Sequence, residues 1–115
     1  MTNPKQKEIW LVNFDPKVGS EIGKLRPAVV ISNDSFGALP LKWIVPITEW
    51  KEYFDGKFWI IKVSPSRKNN LSKMSGFDVF QIKSLDQSRF QKKIGEIDSE
   101  IFANIKLAIN LFIEE

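Results

Sequence analysis

Residues 19–27, with the sequence GSEIGKLRP, combine an acid, an arginine and two glycines immediately before an apolar strand. Because Pro27 follows Arg26, the backbone of the arginine is biased toward the extended region where the loop meets the strand. An arginine in that position can direct a planar, permanently charged guanidinium at a phosphate or a carboxylate. A surface ion pair between Arg26 and Glu21 is the other interpretation, and these residues alone leave both open.

Three further groups of side chains suit contacts with phosphates or bases. Thr48 lies at the end of a predicted strand, and its hydroxyl can donate to a phosphoryl oxygen, although threonine is also an ordinary strand residue. Arg67 and Lys68 lie in a basic loop, SRKNNLSK, which suits either phosphate contacts or simple solvation. Trp50 and Tyr53 lie in a predicted turn, where exposed rings can stack on unpaired bases.

The composition excludes several kinds of chemistry. The chain has no cysteine, hence no disulfide or thiolate, and no histidine, the commonest general base and metal ligand. No group of carboxylates has the spacing of metal ligands, so no metal or cofactor is expected. The net charge of +3, with acids interspersed, favours a mildly basic soluble surface over a nucleic-acid footprint on charge alone. The absence of a signal sequence and of an apolar run near ~20 residues predicts a cytoplasmic protein.

The pattern of apolar residues predicts several short strands followed by one helix. This indicates a mainly β fold, a small and strongly bent antiparallel barrel with a C-terminal helix, formed by one domain of residues 1–115. A core of that kind needs large apolar side chains, so Trp43, Phe58 and Trp59 are expected to be mostly buried. The predicted elements are strands at 8–14, 25–32, 42–49, 57–64, 77–85 and 92–97, and a helix from Asp98 or Ser99 to residue 112.

Pro46 and the pair Asp55-Gly56 make two more local predictions. Proline has no N–H to donate, so Pro46 within the third predicted strand indicates an edge position or a bulge. Asp55-Gly56 is a hairpin signal and predicts that the third and fourth strands pair with each other. The loop at residues 65–76 is long for a compact domain, and long loops are often functional.

Taken together, these segments resemble the MazF/PemK family of ribonuclease toxins. The stretch EIWLVNFDPKVGSEIGKLRPAVVISND follows the family's opening strand, GSE loop and RPAVVIS strand almost position by position. The resemblance continues through VPIT, SGFDVFQIKSLDQSRF and KKIGEID into the final helix, so it spans nearly the whole chain. The first of these motifs is specific, and the later ones support it by keeping their order.

The resemblance implies a homodimeric, SH3-like barrel of the CcdB/MazF type that acts in a type II toxin-antitoxin module. It also implies metal-independent, sequence-specific cleavage of single-stranded RNA, including mRNA, and inhibition by an antitoxin protein. The family's catalytic arginine, threonine and GSE-loop acid fall on Arg26, Thr48 and Glu21. Further RNA contacts are expected, beside Trp50, Arg67 and Lys68, from Gln81, which matches the family's glutamine, and from Ser20 and Lys24 of the same loop.

Two departures from the family pattern and two alternative functions remain. Many relatives have an acid just before the glutamine, where this chain has Phe80, with Asp78 two residues earlier and expected on the same strand face. Relatives also often begin the first strand after a glycine, where this chain has Lys7, an exchange expected to matter little. The alternatives are a non-enzymatic, CcdB-like gyrase poison, which does not need the GSE and RP motifs, and an inactive SH3-like binding module.

Overall fold

The computed structural model describes residues 3–114 as seven strands, several short turns and one helix. The elements are β1 (Glu8–Asn13), β2 (Leu25–Val30), β3 (Leu41–Glu49), β4 (Ile60–Val63), β5 (Ser75–Asp78), β6 (Lys83–Asp86), β7 (Phe90–Glu96) and α1 (Ser99–Ile113). The strand order is β4-β5-β3-β2-β1-β7, with β6 also paired to β3, and each pairing is antiparallel. This confirms the mainly β class with a C-terminal helix. Within residues 3–114 no pairing joins β4 to β7, so hydrogen bonds do not close the curved sheet into a complete barrel.

The two faces of the sheet carry separate apolar clusters because side chains alternate along each strand. The helix covers the first face through Ile105 and Ala108, and Asp98 caps its first turn by accepting from the N–H of Ile101 at 2.9 Å. In the described part of the chain, this helix and the turns are too short or too polar to cross a membrane. The first face buries Ile9, Val29, Val45, Ile47 and Phe77, and the second buries Trp10, Val12, Ala28, Val30, Ile44, Leu85 and Phe90.

The predicted strand at 77–85 is wrong, because the chain turns in its middle. β5 ends at Asp78, a 3₁₀ turn covers Val79–Gln81, and β6 begins at Lys83. The two halves pair with different parts of β3, β5 with its end and β6 with its beginning. Phe80 therefore lies in the turn and does not share a strand face with Asp78.

The predictions from Pro46 and from the pair Asp55-Gly56 also need correction. Pro46 is not on an edge strand, because β3 pairs with β2 on one side and with β5 and β6 on the other. The N–H of Ile31 donates to the carbonyl of Trp43, and antiparallel alternation then turns the nitrogen of Pro46 away from β2. It faces the gap between the ladders to β6 and β5, where no donor is needed. Asp55-Gly56 closes no hairpin, because β4 pairs with β5 and not with β3.

The loop between β4 and β5 is held by its own hydrogen bonds and by β7. Asn69 is buried, and its side-chain oxygen accepts from the N–H groups of Ser66 and Leu71 at 2.9 and 3.0 Å. The carbonyl of Lys68 accepts from the N–H of Glu96 at 2.9 Å. A Cβ at Gly95 would collide with the Asn69 backbone, so glycine permits this close approach. The loop is therefore packed at its base and exposes the side chain of Lys68.

Lys7, just before β1, has a φ of +76°, in the region that glycine adopts without strain. Its N–H donates to the carbonyl of Val30 at 2.8 Å, and its carbonyl accepts from the N–H of Ile97 at 2.9 Å. These two bonds hold the backbone in this conformation. At this φ a side chain adds backbone strain that the expectation of little effect did not include.

We predict that Lys7→Gly is more stable than Lys7→Ala by about 1 kcal/mol in free energy of unfolding. Both variants lose the contact of the Lys7 ammonium with the Phe102 ring, 5.3 Å from its centroid, so they differ only in the Cβ. Urea titration of the two variants measures the difference. Equal midpoints and slopes would contradict a strained position 7.

Candidate active site

The register between β2 and β3 brings Arg26 and Thr48 together. The ladder ends at Ala28 opposite Pro46, and two residues further along each strand the same register sets Arg26 opposite Thr48. Both side chains belong to the face that lies away from the helix, and both residues are partly buried. Adjacent strands are about 4.8 Å apart. The guanidinium and the hydroxyl can therefore approach the same phosphate group.

The guanidinium of Arg26 is oriented by one backbone contact. Its Nε donates to the carbonyl of Gly23 at 3.0 Å. Within residues 3–114 no acidic side chain lies within ion-pair distance of Arg26, so the alternative of an ion pair with Glu21 is not observed. The terminal nitrogens of this arginine are left to bind an anion.

Glu21 pairs instead with Lys83, a residue that the sequence analysis did not single out. Glu21 Oε1 lies 3.8 Å from Lys83 Nζ and accepts from the N–H of Val18 at 3.1 Å. An exposed ion pair of this length contributes at most about 1 kcal/mol. In the sequence, the available signal for Lys83 was its position two residues after Gln81. In the structure, Lys83 begins β6.

Gln81 connects the 3₁₀ turn to the GSE loop. Its Oε1 accepts from the N–H of Ile22 at 2.8 Å, and its Nε2 lies 3.5 Å from the carbonyl of Ser20. The first contact is a good hydrogen bond, and the second is at the limit of one. Gln81 therefore holds the loop in place. A cavity of about 430 Å³ opens beside this contact, lined by Ser20, Glu21, Phe80, Gln81, Ile82 and Lys83.

The base of the GSE loop is fixed by Asp15. Its Oδ1 accepts from the N–H of Lys24 at 2.7 Å, and its carbonyl accepts from Nη1 of Arg89 at 2.6 Å. A Cβ at Gly23 would lie 2.9 Å from that same carboxylate and from the side chain of Lys17, so a larger residue there would require these side chains to shift. Gly19, at the outer part of the loop, has a φ of +57° and open space around it. The side chains of Ser20 and Lys24 are exposed on this framework.

Trp50 is more packed than predicted. Its ring lies next to Gly76, the residue opposite Thr48, and a Cβ at Gly76 would be 3.5 Å from the ring. The ring also meets Phe54 edge to face, and its Nε1 is buried without a hydrogen-bond partner in the described structure. Trp50 is thus partly buried beside the site and does not form an open platform.

The predictions for the other aromatic residues are partly confirmed and partly wrong. Tyr53 is exposed as predicted, at 70% of its surface. Trp43 and Phe58, predicted to be mostly buried, are 58% and 47% exposed, and Trp59 is partly buried. The core is filled instead by aliphatic residues with Trp10, Phe14, Phe77 and Phe90, which leaves Trp43 and Phe58 at the surface.

Lys62 is a second residue that the sequence analysis missed. It lies opposite Gly76 on β4, so Thr48 and Lys62 flank that glycine on one face. Its Nζ lies 5.0 Å from the centroid of the Trp50 ring, in a cation–π arrangement. Strand alternation in the sequence IIKV was the available signal, since the lysine must face away from its apolar neighbours.

Arg67 and Lys68 are not brought to Arg26. The carbonyl of Lys68 bonds to Glu96, which pairs with Glu8 at the start of β1. Arg26 instead pairs with Val12, four residues further along the same strand, which corresponds to roughly 13 Å. Contacts of Arg67 and Lys68 would therefore involve other nucleotides of a bound strand.

Asp78 is a partly buried acid on β5, two residues after Gly76. It follows Phe77, which pairs with Ile47, and its Oδ1 is buried without a hydrogen-bond partner among the described residues. Burial raises the pKa of Asp78 above its ordinary value, while the backbone amides of Phe80 and Gln81 act in the opposite direction. In residues 3–114 no three acidic side chains converge in a group that could hold a metal ion.

We predict that Gln81→Leu speeds hydrogen exchange of the Ile22 amide by roughly 5- to 10-fold, because one hydrogen bond contributes about 1 kcal/mol. NMR or mass spectrometry of exchange measures this rate. Gln91→Leu, at an exposed glutamine on β7, is the control and should leave the rate unchanged. Equal exchange in both variants would show that Gln81 does not hold the loop.

We also predict that Asp78→Asn raises the free energy of unfolding at neutral pH. The pKa of Asp78 is higher in the folded chain than its unfolded value of about 3.8, so stability falls as pH rises through the interval above that value. Below that interval both states are protonated, and variant and wild type should converge. Urea titrations at neutral and acidic pH test this, with Asp55→Asn as an exposed control. A difference independent of pH would contradict it.

Comparison with known proteins agrees with this geometry. The sequence profile of the family described as PemK-like, MazF-like toxin of type II toxin-antitoxin system matches residues 5–113. The chain is 30% identical to Endoribonuclease MazF9 of Mycobacterium tuberculosis, covering 96% of each protein. MazF from Deinococcus radiodurans superposes with a TM-score of 0.83 at 22% identity over 100% of both chains. A MazE-MazF complex from that organism gives 0.75 at 22% identity, covering 98% of this chain and 97% of the other. The chain therefore belongs to the family of PemK-like, MazF-like toxins of type II toxin-antitoxin systems.

Proposed function

We propose that this protein is the toxin of such a module and cleaves single-stranded RNA, including mRNA, at a specific sequence without a metal ion. The observation that carries this proposal is the register of β2 and β3, which sets Arg26 opposite Thr48 when it is continued two residues beyond Ala28 and Pro46. Among residues 3–114 the guanidinium makes no ion pair. Membership of the toxin family and similarity to a protein named as an endoribonuclease support it. We further propose that the protein is cytoplasmic and that residues 1–115 act as one domain.

Cleavage proceeds by attack of the ribose 2′-oxygen on the adjacent phosphorus. The 2′-O–P bond forms and the P–O5′ bond breaks, which leaves a 2′,3′-cyclic phosphate and a 5′-OH. Arg26 stabilises the charge of the crowded phosphorane, and Thr48 donates a hydrogen bond to a non-bridging oxygen. The 2′ proton passes to an acceptor and a proton is delivered to O5′. Glu21 is the proposed acceptor of the first proton, because it pairs with Lys83 while Gly23 orients Arg26. The protonated guanidinium of Arg26 can supply the second proton.

The remaining contacts with RNA surround this centre. Ser20, Lys24 and Gln81 belong to the GSE loop or hold it, while Arg67 and Lys68 contact phosphates further along the strand. Lys62 and Lys83 extend the positive charge beside Trp50 and Glu21. Sequence preference resides in the loops at 50–56 and 65–76, where unpaired bases can be read.

The proposed partners are an antitoxin and a second copy of this chain. A MazE-MazF complex among the structural relatives supports a protein partner, and an acidic and apolar segment that folds on the basic groove fits that role. The second copy is assigned to an apolar groove of about 800 Å³ between α1 and the start of β3. Exposed side chains of Phe36, Leu39, Leu41 and Trp43 line it.

Incubation of the purified protein with a long single-stranded RNA in EDTA tests the proposed function. Discrete fragments that end in cyclic phosphate support the nuclease. Intact RNA together with arrested gyrase would identify the CcdB-like poison, and RNA binding without either outcome would identify the binding module. Sequencing of the fragment ends gives the cleavage sequence.

We predict that Arg26→Ala and Thr48→Ala each lower kcat for RNA cleavage on the order of 10²- to 10³-fold and abolish growth arrest. The fold should persist, since both side chains lie outside the two apolar clusters. Arg67→Ala is the matched control and should raise KM without changing kcat, because it removes only a distant phosphate contact. Wild-type rates in folded Arg26→Ala and Thr48→Ala would exclude this assignment.

We predict that Trp43→Lys converts the dimer to a monomer, because it sets a charge in the apolar groove. Light scattering after gel filtration measures the mass. Tyr53→Lys, at a similarly exposed aromatic residue outside the groove, should leave the dimer intact. A Trp43→Lys protein that stays dimeric would assign the subunit interface to another surface.

A further inference from the structure

Four aromatic rings form a partly exposed cluster between the 3₁₀ turn and the end of α1. Phe80 stacks on Phe112 with centroids 4.8 Å apart and planes within 11° of parallel. Trp59 meets Phe80 at 6.4 Å and an angle of 62°, and Phe58 lies 5.1 Å from Phe112. Despite these contacts Phe80 remains 67% exposed. A ring this open, with one side already covered, is a preformed stacking surface.

The position of Phe80 connects this cluster to the proposed RNA site. Phe80 forms part of the wall of the 430 Å³ cavity that Glu21 and Lys83 also line. The neighbouring Gln81 is occupied by its bond to Ile22. The same turn therefore directs one side chain to the GSE loop and the other to the cavity beside the helix.

We propose that Phe80 stacks on a nucleobase of the bound RNA and so contributes to the choice of cleavage sequence. This proposal rests on the proposed RNA cleavage. A base offers a flat π-face to the ring, while the charges of Glu21 and Lys83 at the same cavity suit its polar edge and the adjoining phosphate. A purely apolar partner would make no use of those charges. The stack on Phe112 holds the ring before binding, which lowers the entropy lost on association.

The test measures whether Phe80 and one base act together. Wild type, Phe80→Leu and Phe80→Tyr are assayed on a short RNA that wild type cleaves, and on copies that carry an abasic site at each position near the cut. At one position, base removal should raise KM for wild type on the order of 10-fold. The same base removal should not change KM for Phe80→Leu, whereas Phe80→Tyr should behave as wild type. Phe58→Leu removes an exposed ring that does not line the cavity and should also behave as wild type.

The outcomes separate this proposal from the one on which it rests. If wild type cleaves RNA and Phe80→Leu shows the same KM increase at every abasic position, the stacking proposal is overturned and the nuclease stands. If wild type cleaves no RNA, both are overturned. Loss of the dimer in Phe80→Leu, with its base dependence unchanged, would assign the cluster to a subunit interface and overturn the proposal.

Discussion

The antiparallel register between β2 and β3 is the constraint on which the rest of the structure depends. It sets Val29 beside Val45 under the helix, and on the opposite face it aligns Ala28 with Pro46. A shift by one residue would exchange the faces of one of the two strands and move either Arg26 or Thr48 toward the helix side. Burial of an unpaired guanidinium there would cost several kcal/mol. The packing of the core and the positions of Arg26 and Thr48 are thus determined by the same set of backbone hydrogen bonds.

The GSE loop is held to this frame at two points. Asp15, just after β1, accepts from Lys24 at the base of the loop, and Gln81 accepts from Ile22 in its middle. The loop therefore has a defined course before any ligand binds, although its outer glycine and exposed side chains contact little. Glu21 belongs to this outer part, and its one ionic partner among the described residues is Lys83. The outer part of the loop can adjust to a bound strand, while Gly23 at its base keeps its hydrogen bond with Arg26.

Local sequence signals predicted the parts of the molecule that depend on nearby residues. The helix start at Asp98, the strands around Arg26 and Thr48, and the exposure of Tyr53 follow from capping, alternation and turn chemistry. The errors concern long-range pairing. Pro46 looked like an edge residue because the gap between β5 and β6 is created by residues more than thirty positions away. Gln81 could be recognised as part of a motif, but its bond to Ile22, 59 residues earlier, exists only after folding.

The three-residue turn Val79–Gln81 also bears on how the site can diversify. In this turn Phe80 packs on the end of the helix and Gln81 on the loop, with no partner in common among their closest contacts. Position 80 can therefore vary, as the replacement of the family's acid by phenylalanine illustrates, while position 81 keeps its anchoring duty. Substitution of Phe112, near the end of α1, would also change the cavity, because Phe112 stacks on Phe80.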